Sequence, residues 1–246
     1  LRRSLIPNLL SNITLNQRYH ESFRIFEMGR VYFKKDRKDP ELAAENFRVA
    51  GIVYEKNPAA PLFYEAKRTA LVLLDQLRIK GVTMEPATTD LPAYAHPGRC
   101  VLIKTGKTVM GMICELHPKT AKNFDIKGSA ALFDIDMDIC FSAKTADSSF
   151  RELPKFPDVP FEVSVLAESR SYGGDICRVI EKSSKEYIRS VNVIGIYEGD
   201  PIPAGMKSVS VKTVFAAKDR TLAPEDIDTL QKGVLEALSK NGYKLR

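Results

Sequence analysis

The order of helix-like and strand-like segments after residue 160 restricts the fold of this chain more than any other feature. Apolar residues recur with a period of 2 in strands and 3.6 in helices, so the two element types can be told apart. The predicted elements are a strand at 161–167, a helix at 174–182, strands at 190–197 and 209–216, a helix at 224–238 and a strand at 243–246. The order β-α-β-β-α-β predicts an antiparallel four-stranded sheet with both helices on one face and the other face free.

The second of these helices carries clear end signals. Thr221 lies near its N-cap, Pro224 and Glu225 stand in its first turn, and Asn241 and Gly242 close it. Proline suits a first turn because its missing N–H is not needed there, and glycine suits a helix end because it tolerates positive φ. The C-terminal region is therefore predicted to be a ferredoxin-like domain.

The N-terminal region shows a different mixture of elements. The pattern predicts a helix within residues 1–20, strands near 23–33 and 47–53, a helix at 64–77, a hairpin turning at 105–107, a short helix at 119–124 and a strand at 130–137. Residues 142–149 are rich in Ser, Ala and Thr and indicate a linker. We expect an α+β chain with two domains, at 1–145 and 151–246.

Composition excludes several classes of protein. Uncharged apolar runs reach only about five residues, far fewer than the roughly 20 needed to cross a bilayer, and no signal peptide is evident. We therefore expect a soluble, cytoplasmic protein with no membrane partner. The four cysteines are spaced too widely for a paired zinc motif, and we expect reduced thiols and no metal site: Cys100, Cys114, Cys140 and Cys177.

The net charge of +6 permits a polyanionic partner but does not demand one. Residues 151–246 hold 15 Lys and Arg against 14 Asp and Glu, which leaves 22 against 17 before residue 151. Nucleic-acid binding by the C-terminal domain therefore cannot be argued from its net charge. Because the sequence does not begin with methionine, we also expect it to be a segment of a longer chain.

Alternation along the C-terminal strands predicts which side chains lie on the free face of the sheet. Val209, Val211, Thr213 and Phe215 share one face, which must be the helix-covered one. The outward positions are then Glu162, Ser164, Ser208, Ser210, Lys212, Lys244 and Arg246. Such a face can hold a single-stranded loop through phosphate contacts and hydrogen bonds to base edges. A merely solvated sheet face is the alternative.

Stacking aromatics are sparse on this predicted face. Single-stranded RNA readers usually stack bases on aromatic rings. Parity assigns Tyr197 to the face of Val191 and Val193, which we expect to be core. Phe156 and Phe161, near the first strand, are the remaining candidates.

Several short segments resemble the beta subunits of bacterial phenylalanyl-tRNA synthetases and stand in the same order. The segments in the first half are 1–7 (LRRSLIP), 26–32 (FEMGRVY), 96–99 (HPGR) and 115–118 (ELHP). Those in the second half are 154–157 (PKFP), 202–208 (IPAGMKS) and 220–222 (RTL). The sequence departs from the family pattern at Cys114, where a glycine is usual, at 160–162 (PFE), where an Arg-Arg-Asp segment is usual, and at Gly195, where Asp is common.

The resemblance implies a function without catalysis by this chain itself. It implies that residues 1–145 are part of a catalytically inactive, class II synthetase-like core that braces the catalytic alpha subunit, and that 151–246 contact the anticodon region of phenylalanine tRNA. It also implies an alpha2-beta2 enzyme, a phenylalanine-tRNA ligase whose ATP and magnesium bind only at the alpha subunit. Lys155 and Lys207 join the RNA-binding candidates on this basis.

Some residues of the first half could be mistaken for catalytic groups. Arginines suit ATP phosphates and histidine is a common acid or base, but no acidic cluster for magnesium and no nucleophile accompany them. We therefore predict no catalytic residues and assign structural or subunit-interface roles to Arg2, Arg3, Glu27, Arg30, His96, Arg99, Glu115 and His117.

Two other functions remain open at this point. The chain could be a stand-alone paralogue that binds another RNA or a protein and has no part in aminoacylation. It could also be a small-molecule-binding regulatory protein with a ferredoxin-like sensor domain, which would need a ligand pocket at the strand edges.

Overall fold

The computed structural model describes residues 1–34, 41–87, 89–146 and 155–246. The chain divides into two compact units, Leu1–Ser149 and Phe150–Arg246. Each unit contains one antiparallel sheet. In the described residues, no helix is both long enough and apolar enough to span a membrane.

The first unit is a six-stranded antiparallel sheet with helices on both faces. Its elements are α1 (Ile6–Asn16), β1 (Ser22–Phe33), β2 (Ala44–Glu55), α2 (Phe63–Gln76), β3 (Val82–Pro86), β4 (Ala95–Thr105), β5 (Thr108–Leu116), α3 (Pro118–Asn123), β6 (Ser129–Asp136) and α4 (Met137–Ser142). The strand order is β1-β2-β6-β5-β4-β3. Because helices cover both faces, the inner strands β2 and β6 are buried on both sides over residues 49–54 and 130–135.

Two apolar cores lie on opposite faces of this sheet. One packs Leu9 and Leu10 of α1 against Tyr54, which is fully buried. The other packs Ala66 and Leu74 of α2 against the opposite face. Arg48 of β2 is held between the strands by an ion pair of 2.7 Å to Asp134 of β6, so a charged pair is built into the sheet itself.

The predicted elements of the first unit match the structure except near residues 79–86 and 137–146. The short strand β3 and the helix α4 were not predicted. The predicted linker at 142–149 is wrong at its start, because Ser142 ends α4 and residues 143–146 are bonded to the unit. The amide of Lys80 donates to the carbonyl of Lys144 at 2.9 Å, and the amide of Ala146 donates to Arg78 at 2.7 Å. Residues 147–149 lie outside the described residues.

The second unit has the predicted β-α-β-β-α-β order. Its elements are β7 (Val159–Glu168), α5 (Gly173–Ser183), β8 (Ile188–Tyr197), β9 (Met206–Phe215), α6 (Pro224–Lys240) and β10 (Lys244–Leu245). The antiparallel strand order is β10-β7-β9-β8. Both helices contribute to the same apolar core, through Ile176 and Ile180 of α5 and Val234 and Leu238 of α6. The prediction of an α+β, ferredoxin-like fold is confirmed.

The start of α6 differs in detail from the prediction. The N-cap is Ala223 and not Thr221, and the methyl side chain of Ala223 cannot accept a hydrogen bond. Asp226 takes this role: its carboxylate accepts the amide of Ala223 at 3.0 Å and also pairs with Arg220. Both contacts favour the charged form and hold the pKa of Asp226 below its usual value, the guanidinium contributing most.

Candidate nucleic-acid interface

The face of the second sheet opposite the helices is a mixed polar surface. Directly opposed residues in antiparallel strands point to the same face, so strand register assigns each side chain to a face. Three rows cross the open face: Lys244 with Leu166, Ser208 and Tyr197; Ser164 with Ser210 and Gly195; and Glu162 with Lys212 and Asn192. The row members on β9 alternate with Val209, Val211, Thr213 and Phe215, which are fully buried beneath the helices.

Tyr197 lies on the open face, and the prediction that it shares a face with Val191 and Val193 is wrong. The ladder between β8 and β9 shifts register between Val193 and Gly195, so Ile194 is an extra residue that has no partner on β9. A bulge of this kind reverses the side-chain parity of everything that follows. A glycine inside a strand-like run is the signal that could have revealed it.

Tyr197 is 47% exposed, and its side chain is held from two sides. Its hydroxyl donates to the carbonyl of Asp200 at 2.8 Å. The guanidinium carbon of Arg246 lies 5.4 Å from the ring centroid, within the range of a cation–π contact. Arg246 therefore lies across the sheet from β10 towards the far edge strand, and the face contains an aromatic platform beside a cation.

The open face has no side chain at Gly195, two residues before Tyr197 on β8. A side chain at Gly195 would point towards Ser210, because a Cβ built there lies 3.8 Å from the Cβ of Ser210. The hydroxyls of Ser210 and Ser164 bond to each other at 2.8 Å. Ser208, also predicted to be outward, is only 1% exposed, and its hydroxyl has no hydrogen-bond partner among the described residues.

The cations on this face differ in their pairing. Lys212 lies 3.3 Å from Glu162. Lys244 and Arg246 are exposed, and neither forms an ion pair within the described part of the chain. Asn192 was not among the predicted residues but is exposed beside Lys212; simple alternation from Val191 would have placed it there.

Other predicted RNA-binding residues lie away from the open face. Lys207 falls on the helix-covered face, is 9% exposed, and donates to the carbonyl of Ser169 at 2.8 Å. Phe161 is also on that face, where it stacks on Phe215 with centroids 6.1 Å apart. Phe156 is half-buried and Lys155 exposed in the segment before β7.

Two of the predicted arginines of the first unit are paired with carboxylates. Arg2 pairs with Glu27 and donates to the carbonyl of Arg30 at 3.0 Å, while Arg30 itself lies 2.9 Å from Glu45. Arg3 is exposed. The contacts of Arg2 tie the segment before α1 to the edge strand β1, and the Arg30–Glu45 pair ties β1 to β2.

The two remaining motif segments of the first unit meet at one cleft. Arg99 forms an ion pair of 2.5 Å with Glu115 across β4 and β5, and both line a cleft of about 590 Å³ together with His96. The imidazole Nδ1 atoms of His96 and His117 accept the amides of Gly98 and Lys119, at 3.1 and 3.0 Å. The histidines therefore brace local backbone turns. No cluster of three or more metal-ligating side chains is found in the ranges that the structure describes.

Two family descriptions match this chain. Residues 1–137 match the phenylalanyl tRNA synthetase beta chain CLM domain, and residues 154–246 match the ferredoxin-fold anticodon binding domain. Among curated relatives, the phenylalanine–tRNA ligase beta subunits of Solibacter usitatus and Bacillus subtilis are both 29% identical to it, over 100% and 97% of this chain. The chain spans 30% of the length of each of these relatives.

Solved structures give a weaker likeness. A pyrrolysyl tRNA synthetase from Desulfitobacterium hafniense is 17% identical, with a TM-score of 0.47 over 63% of this chain and 55% of that one.

Proposed function

This chain belongs to the phenylalanyl-tRNA synthetase beta chain family, and from this premise we propose that its second unit binds the anticodon region of phenylalanine tRNA through the open sheet face. One observation carries the proposal. The bulge in β8 puts Tyr197 on the same open face as Arg246, Lys244 and the serine hydroxyls. Aromatic ring, cations and hydroxyls together are what a single-stranded loop needs for stacking, phosphate contacts and base-edge hydrogen bonds.

Each part of the face has a separate task in this proposal. Tyr197 is the stacking platform for one base, and Arg246, which covers the ring in the free protein, moves to a phosphate when the base arrives. The hydroxyls of Ser164 and Ser210, now bonded to each other, can turn to a base edge beside the gap at Gly195. Lys244 contacts the backbone. Lys212 contributes less, since Glu162 neutralises it.

The first unit is proposed to support the alpha subunit and to perform no chemistry. Of the four arginines that could bind ATP phosphates, Arg2, Arg24 and Arg30 are paired with glutamates of the same unit, and Arg3 is exposed. ATP and magnesium are therefore assigned to the alpha subunit of an alpha2-beta2 ligase.

The edge strand β1 supports a protein partner for the first unit. Phe26 and Met28 are 72% and 56% exposed on one face of β1, beside an apolar groove of about 240 Å³ that also includes Leu73 and Phe133. Exposed apolar side chains next to a groove are typical of protein interfaces. We expect Phe26→Ser with Met28→Ser to reduce co-purification with the alpha subunit.

Titration with phenylalanine tRNA and with the same tRNA carrying a changed anticodon, each at two salt concentrations, tests the RNA proposal. We expect tighter, salt-sensitive binding to the normal anticodon. Equal affinity for both RNAs would mean that the second unit does not recognise the anticodon. No binding to either RNA would favour the stand-alone paralogue that binds another partner.

A further inference from the structure

Two of the four cysteines face each other across neighbouring strands of the first unit. Cys100 of β4 is the direct partner of Cys114 of β5. Both are free thiols, 5% and 0% exposed, in the core beneath α1. Directly opposed residues of antiparallel strands have Cα atoms about 4.5–5.5 Å apart, inside the range of about 4.4–6.8 Å that a disulfide spans. The backbone therefore already has the separation that a bridge requires.

The two thiols also affect each other's ionisation. A hydrogen bond from Cys114 lowers the pKa of Cys100, because the donated S–H favours the thiolate, and the same bond raises the pKa of Cys114. Burial raises the pKa of both remaining cysteines, Cys140 and Cys177. Among the four, Cys100 has the greatest thiolate character, and its resolving partner is adjacent.

We propose that Cys100 and Cys114 are an oxidative modification site at which peroxide forms an intramolecular disulfide. The thiolate of Cys100 attacks one oxygen of hydrogen peroxide, and the O–O bond breaks. Hydroxide departs as the leaving group, and Cys100 becomes a sulfenic acid. The sulfur of Cys114, losing its proton, then attacks the sulfur of Cys100 and displaces the second oxygen as water. In total, two thiols give two electrons to one peroxide, and the products are one disulfide and two waters.

An irregularity in the ladder lies next to the pair. Residues 96–99 separate the pair Ala95–Leu116 from the pair Cys100–Cys114 and interrupt the β4–β5 register. Interrupted pairing lowers the cost of local opening, which gives a small oxidant a route to a buried thiol. The bridge would tie down one end of the bulge that carries His96 and Arg99, so it would fix the wall of the cleft that these residues line.

The test uses the 246-residue chain with Cys140→Ala and Cys177→Ala, exposed to hydrogen peroxide, and follows intact mass and cysteine peptides. The expected product is lower in mass by about 2 Da, contains a Cys100–Cys114 peptide bridge, and recovers its mass on reduction. In the matched control, which adds Cys114→Ala, a resolving thiol is missing. That variant also lacks the hydrogen bond that lowers the pKa of Cys100, so it should neither lose about 2 Da nor form a bridge, and any oxidation of Cys100 should add about 16 Da or more.

Wild-type chain provides a second measurement that does not depend on the folding of any variant. After peroxide treatment, free thiols are alkylated, the bridge is reduced, and the newly released thiols are labelled with a second reagent. The expected result is that the second reagent labels both Cys100 and Cys114. The oxidised chain should also have a higher melting midpoint than the reduced chain. Free Cys100 and Cys114 after oxidation, or bridges formed by Cys140 or Cys177 instead, would overturn the proposal.

Discussion

Replacing Tyr197 with alanine removes the aromatic platform from the open sheet face while leaving the backbone register unchanged. Tyr197 is 47% exposed and lies on the same face as the candidate RNA contacts, so a base can stack on its ring once Arg246 moves. Stacking of one base on an aromatic side chain contributes about 1–3 kcal/mol. At about 1.4 kcal/mol per tenfold change, Tyr197→Ala should weaken RNA binding by roughly 5- to 150-fold.

The assay is fluorescence anisotropy with a labelled anticodon stem-loop of phenylalanine tRNA, at fixed salt. Tyr197→Phe retains the ring and loses only the hydroxyl bond to Asp200, so its affinity should stay within about twofold of wild type, a difference of less than about 0.5 kcal/mol. Tyr172→Ala is the matched control, because Tyr172 is 54% exposed but lies at the N-cap of α5, outside the sheet.

The reasoning fails if Tyr197→Ala binds as well as Tyr172→Ala. A second result would also refute the reasoning. In that result, Arg246→Ala and Tyr197→Ala weaken RNA binding equally, and the double variant binds no more weakly than either single variant. In that case the ring serves only to position the guanidinium, and no base stacks on it.

The other predictions concern the cations of the open sheet face, the buried carboxylate of Asp134 and the helix-capping carboxylate of Asp226. Lys244→Ala with Arg246→Ala should weaken RNA binding and lower the slope of log affinity against log salt by about 0.7 for each phosphate that the protein no longer neutralises. Arg48→Met should destabilise the first unit by about 3–5 kcal/mol at pH 7, because it leaves Asp134 buried without its cation. Burial already raises the pKa of Asp134, so the loss should shrink as pH falls through this raised folded pKa towards 3.8, because the buried carboxyl is then protonated and carries no charge. Asp226→Ala should lower the melting midpoint of the second unit at neutral pH; since the pKa of Asp226 is lowered in the folded state, its contribution should disappear as pH falls below 3.8.

These predictions have distinct contrary outcomes. An unchanged salt slope would mean that Lys244 and Arg246 make no phosphate contacts. A loss in Arg48→Met that stays the same from pH 7 down to pH 3.8, measured by urea unfolding, would mean that packing and not the unpaired carboxylate causes the effect. Equal melting midpoints for wild type and Asp226→Ala at neutral pH would mean that the cap of α6 is dispensable.

The sequence alone determined the order of elements in the second unit and the covered face of β9. Both follow from local periodicity: Val209, Val211, Thr213 and Phe215 occupy alternate positions, and only one face of such a strand can meet the helices. The same local reasoning gave most helices and strands of the first unit and one hairpin, because hairpins and amphipathic helices leave their signals within a dozen residues.

Only the tertiary structure decided what depends on pairing between distant strands. The extra residue Ile194 moves the side chain of Tyr197 to the other face of the sheet. Sequence alternation cannot reveal this bulge, because it is defined only by the pairing of β8 with β9. The contact of Cys100 with Cys114 likewise depends on the β4–β5 register across its irregular segment. Periodicity fixes which side of a strand is apolar, whereas register with a partner strand decides which residues meet, and the site of this protein depends on the second.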